Sequence, residues 1–197
     1  MKRKAVFLDR DGTLNADAAY ASDYEQIAVY PESYEAVKEF NHAGLLTVVV
    51  TNQSAVGRGL LTEDGLNDIH SRLRASFAAH GSHLDAIYFC PHYPLSADPR
   101  YGKECDCRKP GTALALRAAA DLGIDLGSSY IIGDKAEDII FGMNIRAVPV
   151  LVLTGSGRES LAQLREQGLE PAFVAETILQ AADWILERER RQGHDPL

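Results

Sequence analysis

Asp9 and Asp11 stand two positions apart at the end of an apolar run, Ala5-Val6-Phe7-Leu8, and Gly12-Thr13 follows as a place for the backbone to turn. Carboxylates so placed can hold a divalent cation, and one of them can attack an electrophile. Two surface acids in a turn would look the same, so other residues must decide. Polar clusters close further apolar runs: Thr51-Asn52-Gln53-Ser54 after residues 45–50, and Gly133-Asp134-Lys135, with Asp138 beyond, after residues 129–132. Arg108-Lys109-Pro110 precedes an Ala/Leu-rich stretch. Phosphoryl transfer to a carboxylate needs a nucleophilic oxygen, Mg2+ to suppress anion repulsion, and donors or cations on the non-bridging oxygens. It also needs an acid for the leaving alkoxide, which can then serve as base towards water. The chain supplies a candidate for each role.

The three cysteines form a second cluster. Cys90-Pro91-His92 precedes Cys105-Asp106-Cys107, with 12 residues between His92 and Cys105. Three thiolates and an imidazole make a closed tetrahedral set for structural Zn2+, with no position left for catalysis. The alternative is three buried free thiols with His92 on a carbonyl. A long loop at 90–110 without regular structure is uncommon in a compact domain unless something pins it. Zinc would do so, and would set the position of Arg108 and Lys109 just downstream. The other histidines, His42, His70, His80, His83 and His194, have no such company and read as surface or helix residues.

Elements that could hold these groups alternate along the chain. The runs at 5–8, 45–50, 86–89, 129–132 and 148–153 read as buried strands, each ending in polar or glycine residues. Helical spacing marks residues 32–43, closed by Gly44, and 62–80, where Leu66, Ile69, Leu73 and Phe77 form an apolar stripe. Further helices are expected at 112–122, 137–143, 158–167 and 177–190, with an edge strand at 173–174. Gly57-Arg58-Gly59 reads as a flexible turn, and 15–31 as a loop over the first strand end. Strand, helix and strand in alternation predict an α/β fold with a doubly wound, mainly parallel sheet, whose ligands sit at the carboxyl ends of its strands. The expected organisation is one domain over 1–187, including the loop 90–110, and a charged tail over 188–197 that frays.

With 197 residues, 46% of them apolar and 24% charged, the chain is long enough to bury a core. Its net charge of −8 argues against a nucleic-acid-coating surface without excluding an anionic small substrate. No apolar stretch approaches a membrane helix, and the run ending at Asp9 is too short for a signal peptide. The chain therefore reads as cytoplasmic, with no membrane partner, and as a monomer.

In order and spacing, Asp9-x-Asp11-x-Thr13, Thr51, Lys109 and Gly133-Asp134 resemble the haloacid dehalogenase superfamily of aspartate-nucleophile phosphatases. The resemblance implies a Rossmann-like fold with Asp9 as nucleophile and Asp11 as general acid/base. Thr51 and Lys109 would stabilise the phosphoryl group. Mg2+ would be held by Asp9, Asp11 (through its backbone carbonyl) and Asp134. With Cys-Pro-His and Cys-Asp-Cys-Arg-Lys-Pro added, the chain from about 6 to 155 is similar to the D-glycero-D-manno-heptose 1,7-bisphosphate 7-phosphatases of nucleotide-heptose, and hence lipopolysaccharide, biosynthesis. Histidinol-phosphate phosphatases share the zinc loop and are the alternative. The subgroup lacks a large cap domain. It implies Zn2+ on Cys90, His92, Cys105 and Cys107, and substrate contacts from Asp17, Ala18, Ala19, Tyr20, Thr51, Asn52, Gln53, Ser54, Arg108, Lys109 and Lys135. Arg108 would take the distal phosphate of a phosphorylated sugar, with Arg58 second in line. Two departures concern local packing: Gly111 follows Pro110 directly, and Asn144-Ile145-Arg146 stands where the family tends to have Ala-Ala-Gly. A phosphoacceptor switch would share the fold, but Asp11 would hasten loss of its signal; a nucleic-acid 3′-phosphatase would need a basic stripe that is missing.

Overall fold

The computed structural model describes residues 2–18 and 20–193. Six strands, β1 (Ala5–Leu8), β2 (Leu46–Asn52), β3 (Ala86–Cys90), β4 (Tyr130–Gly133), β5 (Val148–Val152) and β6 (Phe173–Ala175), form one sheet in the order β3-β2-β1-β4-β5-β6. All five pairings are parallel. The helices are α1 (Pro31–His42), α2 (Ser54–Gly57), α3 (Glu63–Ala79), α4 (Ala113–Leu122), α5 (Ala136–Asn144), α6 (Gly157–Glu166) and α7 (Ile178–Gly193).

Alternate residues of β1 face opposite sides of the sheet, which is why the run is apolar throughout. Val6 and Leu8 pack with Val37 and Phe40 of α1, Leu73 and Phe77 of α3, and Ala181 and Ile185 of α7. Ala5 and Phe7 pack with Leu114 and Ala118 of α4 and Phe141 of α5. Both faces are thus covered, as a fully parallel sheet requires. The connections after β1 and β4 leave in opposite directions, so a crevice opens between these strands at their carboxyl ends. Asp9 and Asp134 sit there.

Local signals explain the boundaries. Thr62 caps α3 by accepting from the Gly65 N–H at 3.0 Å, and Gly123, at φ +68°, closes α4. The end of α5 is made without glycine. Arg146 N–H donates to Met143 O and Ala147 N–H to Gly142 O, a Schellman pair, and Arg146 itself takes φ +60°. A side chain in that region costs about 1 kcal/mol, offset here by the two carbonyls it satisfies.

Two expectations need correction. Of the turn expected at Gly57-Arg58-Gly59, Arg58 and Gly59 form a turn, with Gly59 at φ +72°, but Gly57 closes the helix 54–57 and is not there for flexibility: it is buried, and a Cβ there would lie 2.8 Å from Pro91 O and from Tyr93 N and Cβ. The glycine serves close approach. The loop at 15–31 reaches over the first strand end as expected, and Ala21 and Ile27 within it are buried, with a short 3-10 turn at Tyr24–Gln26. Helix α7 continues past Arg188 to Gly193, because Glu189 accepts from Lys4 Nζ at 2.8 Å and from Tyr130 OH at 2.7 Å. The rest of the expected tail, 194–197, lies outside the described residues. No helix among them is long and apolar enough to cross a membrane.

Candidate active site

Asp9, one residue beyond β1, is 4% exposed and its N–H donates to Ile132 O of β4. Its Oδ1 accepts from Lys109 Nζ at 2.6 Å. The same ammonium lies 2.6 Å from Asp138 Oδ1 and donates to Val50 O at 2.8 Å, so its three N–H groups are all engaged. Lys109 is brought there by its own backbone: its N–H donates to Asn52 Oδ1 at 2.9 Å, and Asn52 Nδ2 donates back to Lys109 O at 3.2 Å. Asn52 thereby fixes the loop segment that carries the lysine.

Asp134 is fully buried beyond β4, with Oδ2 accepting from Ser156 N–H at 2.8 Å and Oδ1 left without a partner. A Cβ on either Gly12 or Gly155 would fall 2.2 Å from its Oδ2, so both glycines make room for this carboxylate. Asp9, Asp134 and Asp138 can bring one oxygen each within 4.8 Å of one another. Burial pushes Asp9 up to about 7, with Asp138 and Asp134 adding to it and Lys109 opposing; Asp134 is pushed up to about 6, chiefly by burial. Burial works against the Lys109 ammonium, yet Asp138 and Asp9 together hold its pKa above the usual value. Three hard oxygen donors, an orphaned carboxylate oxygen and an excess of negative charge over one lysine fit Mg2+.

The Asp11 carboxylate is turned out of that cluster. It receives Arg10 Nη2 at 2.7 Å and Nε at 2.9 Å, Gln53 Nε2 at 2.8 Å and Asn15 Nδ2 at 3.0 Å. Burial would raise its pKa, but the Arg10 charge and these hydrogen bonds outweigh that and lower it. Gln53 ties the group to Thr51, donating to Thr51 Oγ1 at 2.9 Å, and accepts from Arg10 Nη2 at 3.0 Å.

Arg10 continues to a residue that the sequence reading assigned no task. Its Nη1 lies 3.3 Å from His70 Nε2, and both side chains are buried. His70 falls to about 3, through burial first and the Arg10 charge second. An imidazole neutral in the fold but charging near 6.5 when unfolded binds more protons in the unfolded chain. Its contribution is therefore complete above pH 6.5 and is lost as pH falls from there towards 3. Between about pH 7.5 and 5 the unfolding free energy of His70→Gln is expected to gain about 2 kcal/mol relative to wild type. Urea melts of both proteins at the two pH values measure this; a constant gap would mean that His70 is charged in the fold.

Cys90 Sγ, His92 Nδ1, Cys105 Sγ and Cys107 Sγ also lie within 4.8 Å of one another. The Sγ–Sγ separations of 3.0, 3.2 and 3.5 Å exclude a disulfide, and the donor set fits Zn2+.

A cavity of about 360 Å³ opens over the strand ends and is lined by every expected substrate contact except Ala19, which lies outside the described residues. Asp17, Ala18 and Tyr20 enter from the loop over the first strand; Thr51, Asn52, Gln53 and Ser54 come from the end of β2; Arg108, Lys109 and Lys135 complete the wall. Arg58 also lines it. Asp138 and Arg10 are the residues whose parts the sequence left open. Asp138 is recognisable only as an acid in the first turn of α5, where its Oδ2 also accepts from Lys135 N–H at 3.0 Å.

A family model described as HAD-hydrolase-like matches residues 106–181. A D-glycero-beta-D-manno-heptose-1,7-bisphosphate 7-phosphatase of Pasteurella multocida (strain Pm70) is 41% identical over 178 residues, covering 89% of this chain and 93% of its own. A protein of the same name from Escherichia coli (strain K12) is 35% identical, covering 92% and 87%. The crystal structure of a D,D-heptose 1,7-bisphosphate phosphatase from B. bronchiseptica, complexed with magnesium and phosphate, superposes with a TM-score of 0.83 at 33% identity, covering 94% of this chain and 99% of that one.

Proposed function

This chain belongs to the D-glycero-D-manno-heptose 1,7-bisphosphate 7-phosphatase family of the haloacid dehalogenase superfamily, and on that premise we propose that it hydrolyses the C7 phosphate of that sugar bisphosphate. The observation that carries the reading is the meeting of Asp9, Lys109 and Asp134 at the strand ends, beneath a cavity whose wall carries three arginines, Arg10, Arg58 and Arg108.

Asp9 attacks phosphorus in line while Asp11 protonates the departing sugar oxygen. Asp11 then takes a proton from water, which hydrolyses the aspartyl-phosphate. Its lowered pKa suits the second step, where it acts as carboxylate. For the first step it must enter protonated, which an arriving phosphate dianion favours. Lys109 and Thr51 stabilise the non-bridging oxygens; Lys109 does so by sharing the donor it gives Asp9. Mg2+ on Asp9, Asp134 and the Asp11 carbonyl would screen the repulsion between carboxylate and phosphate. Zn2+ on Cys90, His92, Cys105 and Cys107 would hold the loop that delivers Arg108 and Lys109. The reading places the enzyme in the cytoplasm as a monomer, in nucleotide-heptose synthesis for surface glycans.

The test is Mg2+-dependent phosphate release from both anomers of the heptose bisphosphate and from L-histidinol phosphate. A kcat/KM at least about 100-fold higher for one heptose anomer, about 2.7 kcal/mol of discrimination, is expected. Preference for histidinol phosphate would overturn the substrate and leave Asp9 and Asp11 in their roles.

A further inference from the structure

We propose that His70 is a positioning residue for the reaction: its imidazole accepts a hydrogen bond behind Arg10 and so fixes the guanidinium that aims the Asp11 carboxyl at the departing oxygen. This rests on the reading of Asp11 as general acid and holds for any alkyl phosphate substrate.

His70 lies next to Ile69 and four residues after Leu66, so the apolar face of α3 carries it inward. Its ring is buried and lies 5.6 Å from that of Phe89 in β3. Its Nε2 lies 3.3 Å from Arg10 Nη1. A guanidinium only donates and keeps its proton, so Nε2 must accept, and the ring proton sits on Nδ1. Burial first, then the Arg10 charge, keeps the ring neutral; Arg74 adds to this and Asp11 opposes it.

The other edge of the guanidinium faces the acid. Arg10 Nε and Nη2 each reach one Asp11 oxygen, at 2.9 and 2.7 Å, and Nη2 also donates to Gln53 Oε1 at 3.0 Å. Such a two-point contact sets the plane of the carboxylate only while the guanidinium is itself held. Gln53 holds it at Nη2 and His70 at Nη1. Arg10 is buried, so an acceptor lost at Nη1 is not replaced by bulk solvent. A histidine that only satisfied a buried cation would matter equally to every substrate. One that positions the acid matters most where the leaving group needs a proton.

The experiment compares kcat/KM at pH 7.5, with Mg2+ in excess, for the heptose bisphosphate (or histidinol phosphate, if that is preferred) and for p-nitrophenyl phosphate. The sugar oxygen must take a proton from Asp11 as its bond to phosphorus breaks, whereas nitrophenolate is a weak base and leaves without one. The ratio of the two does not depend on how much of a preparation is folded. Asp11→Asn sets the scale and is expected to lower the ratio by at least about 100-fold. His70→Leu, which offers no acceptor, is expected to lower it by about 10-fold, through kcat with KM little changed. His70→Gln, whose Oε1 can stand in for Nε2, should keep it within about twofold of wild type. An unchanged ratio in His70→Leu, or an equal fall in His70→Gln, would overturn the proposal while leaving Asp11 as the acid. A wild-type ratio in Asp11→Asn would instead remove Asp11 as the acid, and the proposal with it.

Discussion

Asp9→Asn is expected to lower kcat for phosphate release by about 10⁴-fold or more while leaving the fold intact. Asparagine has the size of aspartate and its carbonyl can still accept from Lys109, so packing around a side chain only 4% exposed is preserved. What disappears is the anionic nucleophile. Stability should move the other way from activity. Burial and two neighbouring carboxylates push Asp9 up to about 7, so in the metal-free protein the ionised form is unfavourable at neutral pH. A group whose folded pKa lies above its unfolded one adds stability as pH falls through that window, from about 7 towards 4. Asparagine removes this dependence and is neutral throughout, so the metal-free variant should melt at or above the wild-type temperature near pH 7.5. Single-turnover phosphate release and thermal melts in EDTA check both halves. Residual turnover above about 1% of wild type would remove Asp9 as nucleophile.

The residues of this site differ in how far the sequence discloses them. Asp9, Thr51 and Asp134 were legible because each ends a buried parallel strand, where the chain must change from apolar to polar within one residue. The cysteine cluster was legible from residue type and spacing. The Lys109–Asp138 pair was not: Asp138 looks like a capping acid, which it also is, and nothing local ties it to a lysine 29 positions earlier. His70 carried a partial signal. It falls between Ile69 and Leu73 on the apolar stripe of α3, so burial could have been inferred, but its partner Arg10 is 60 positions away. Gly57 was misread because a glycine needed for close approach looks the same in sequence as one needed for flexibility. Glu189 sits in a run of charges typical of a solvated end, yet Lys4 and Tyr130, both distant in sequence, donate to it.

Lys109→Met is expected to cost about 3–5 kcal/mol of stability in the metal-free protein and about 10²- to 10³-fold in kcat. Methionine fills the stem volume of lysine but leaves Asp9 and Asp138 as unpaired buried carboxylates and Val50 O without its donor. The two losses have separable causes. Asp138 accepts the ammonium at 2.6 Å and also the Lys135 N–H at 3.0 Å, so its share is architectural. Adding Asp138→Asn to Lys109→Met removes one stranded charge and should return part of the stability, making the double variant more stable than the sum of the single losses predicts. It should return none of the kcat, because no cation is restored beside the phosphoryl oxygens. Urea melts and kcat for the wild type, the two single variants and the double variant complete the cycle. Additive stability losses would show that Lys109 and Asp138 do not form an energetic pair. Recovery of kcat in the double variant would mean that Lys109 serves the fold alone, and that stabilisation of the transferring group lies with other residues.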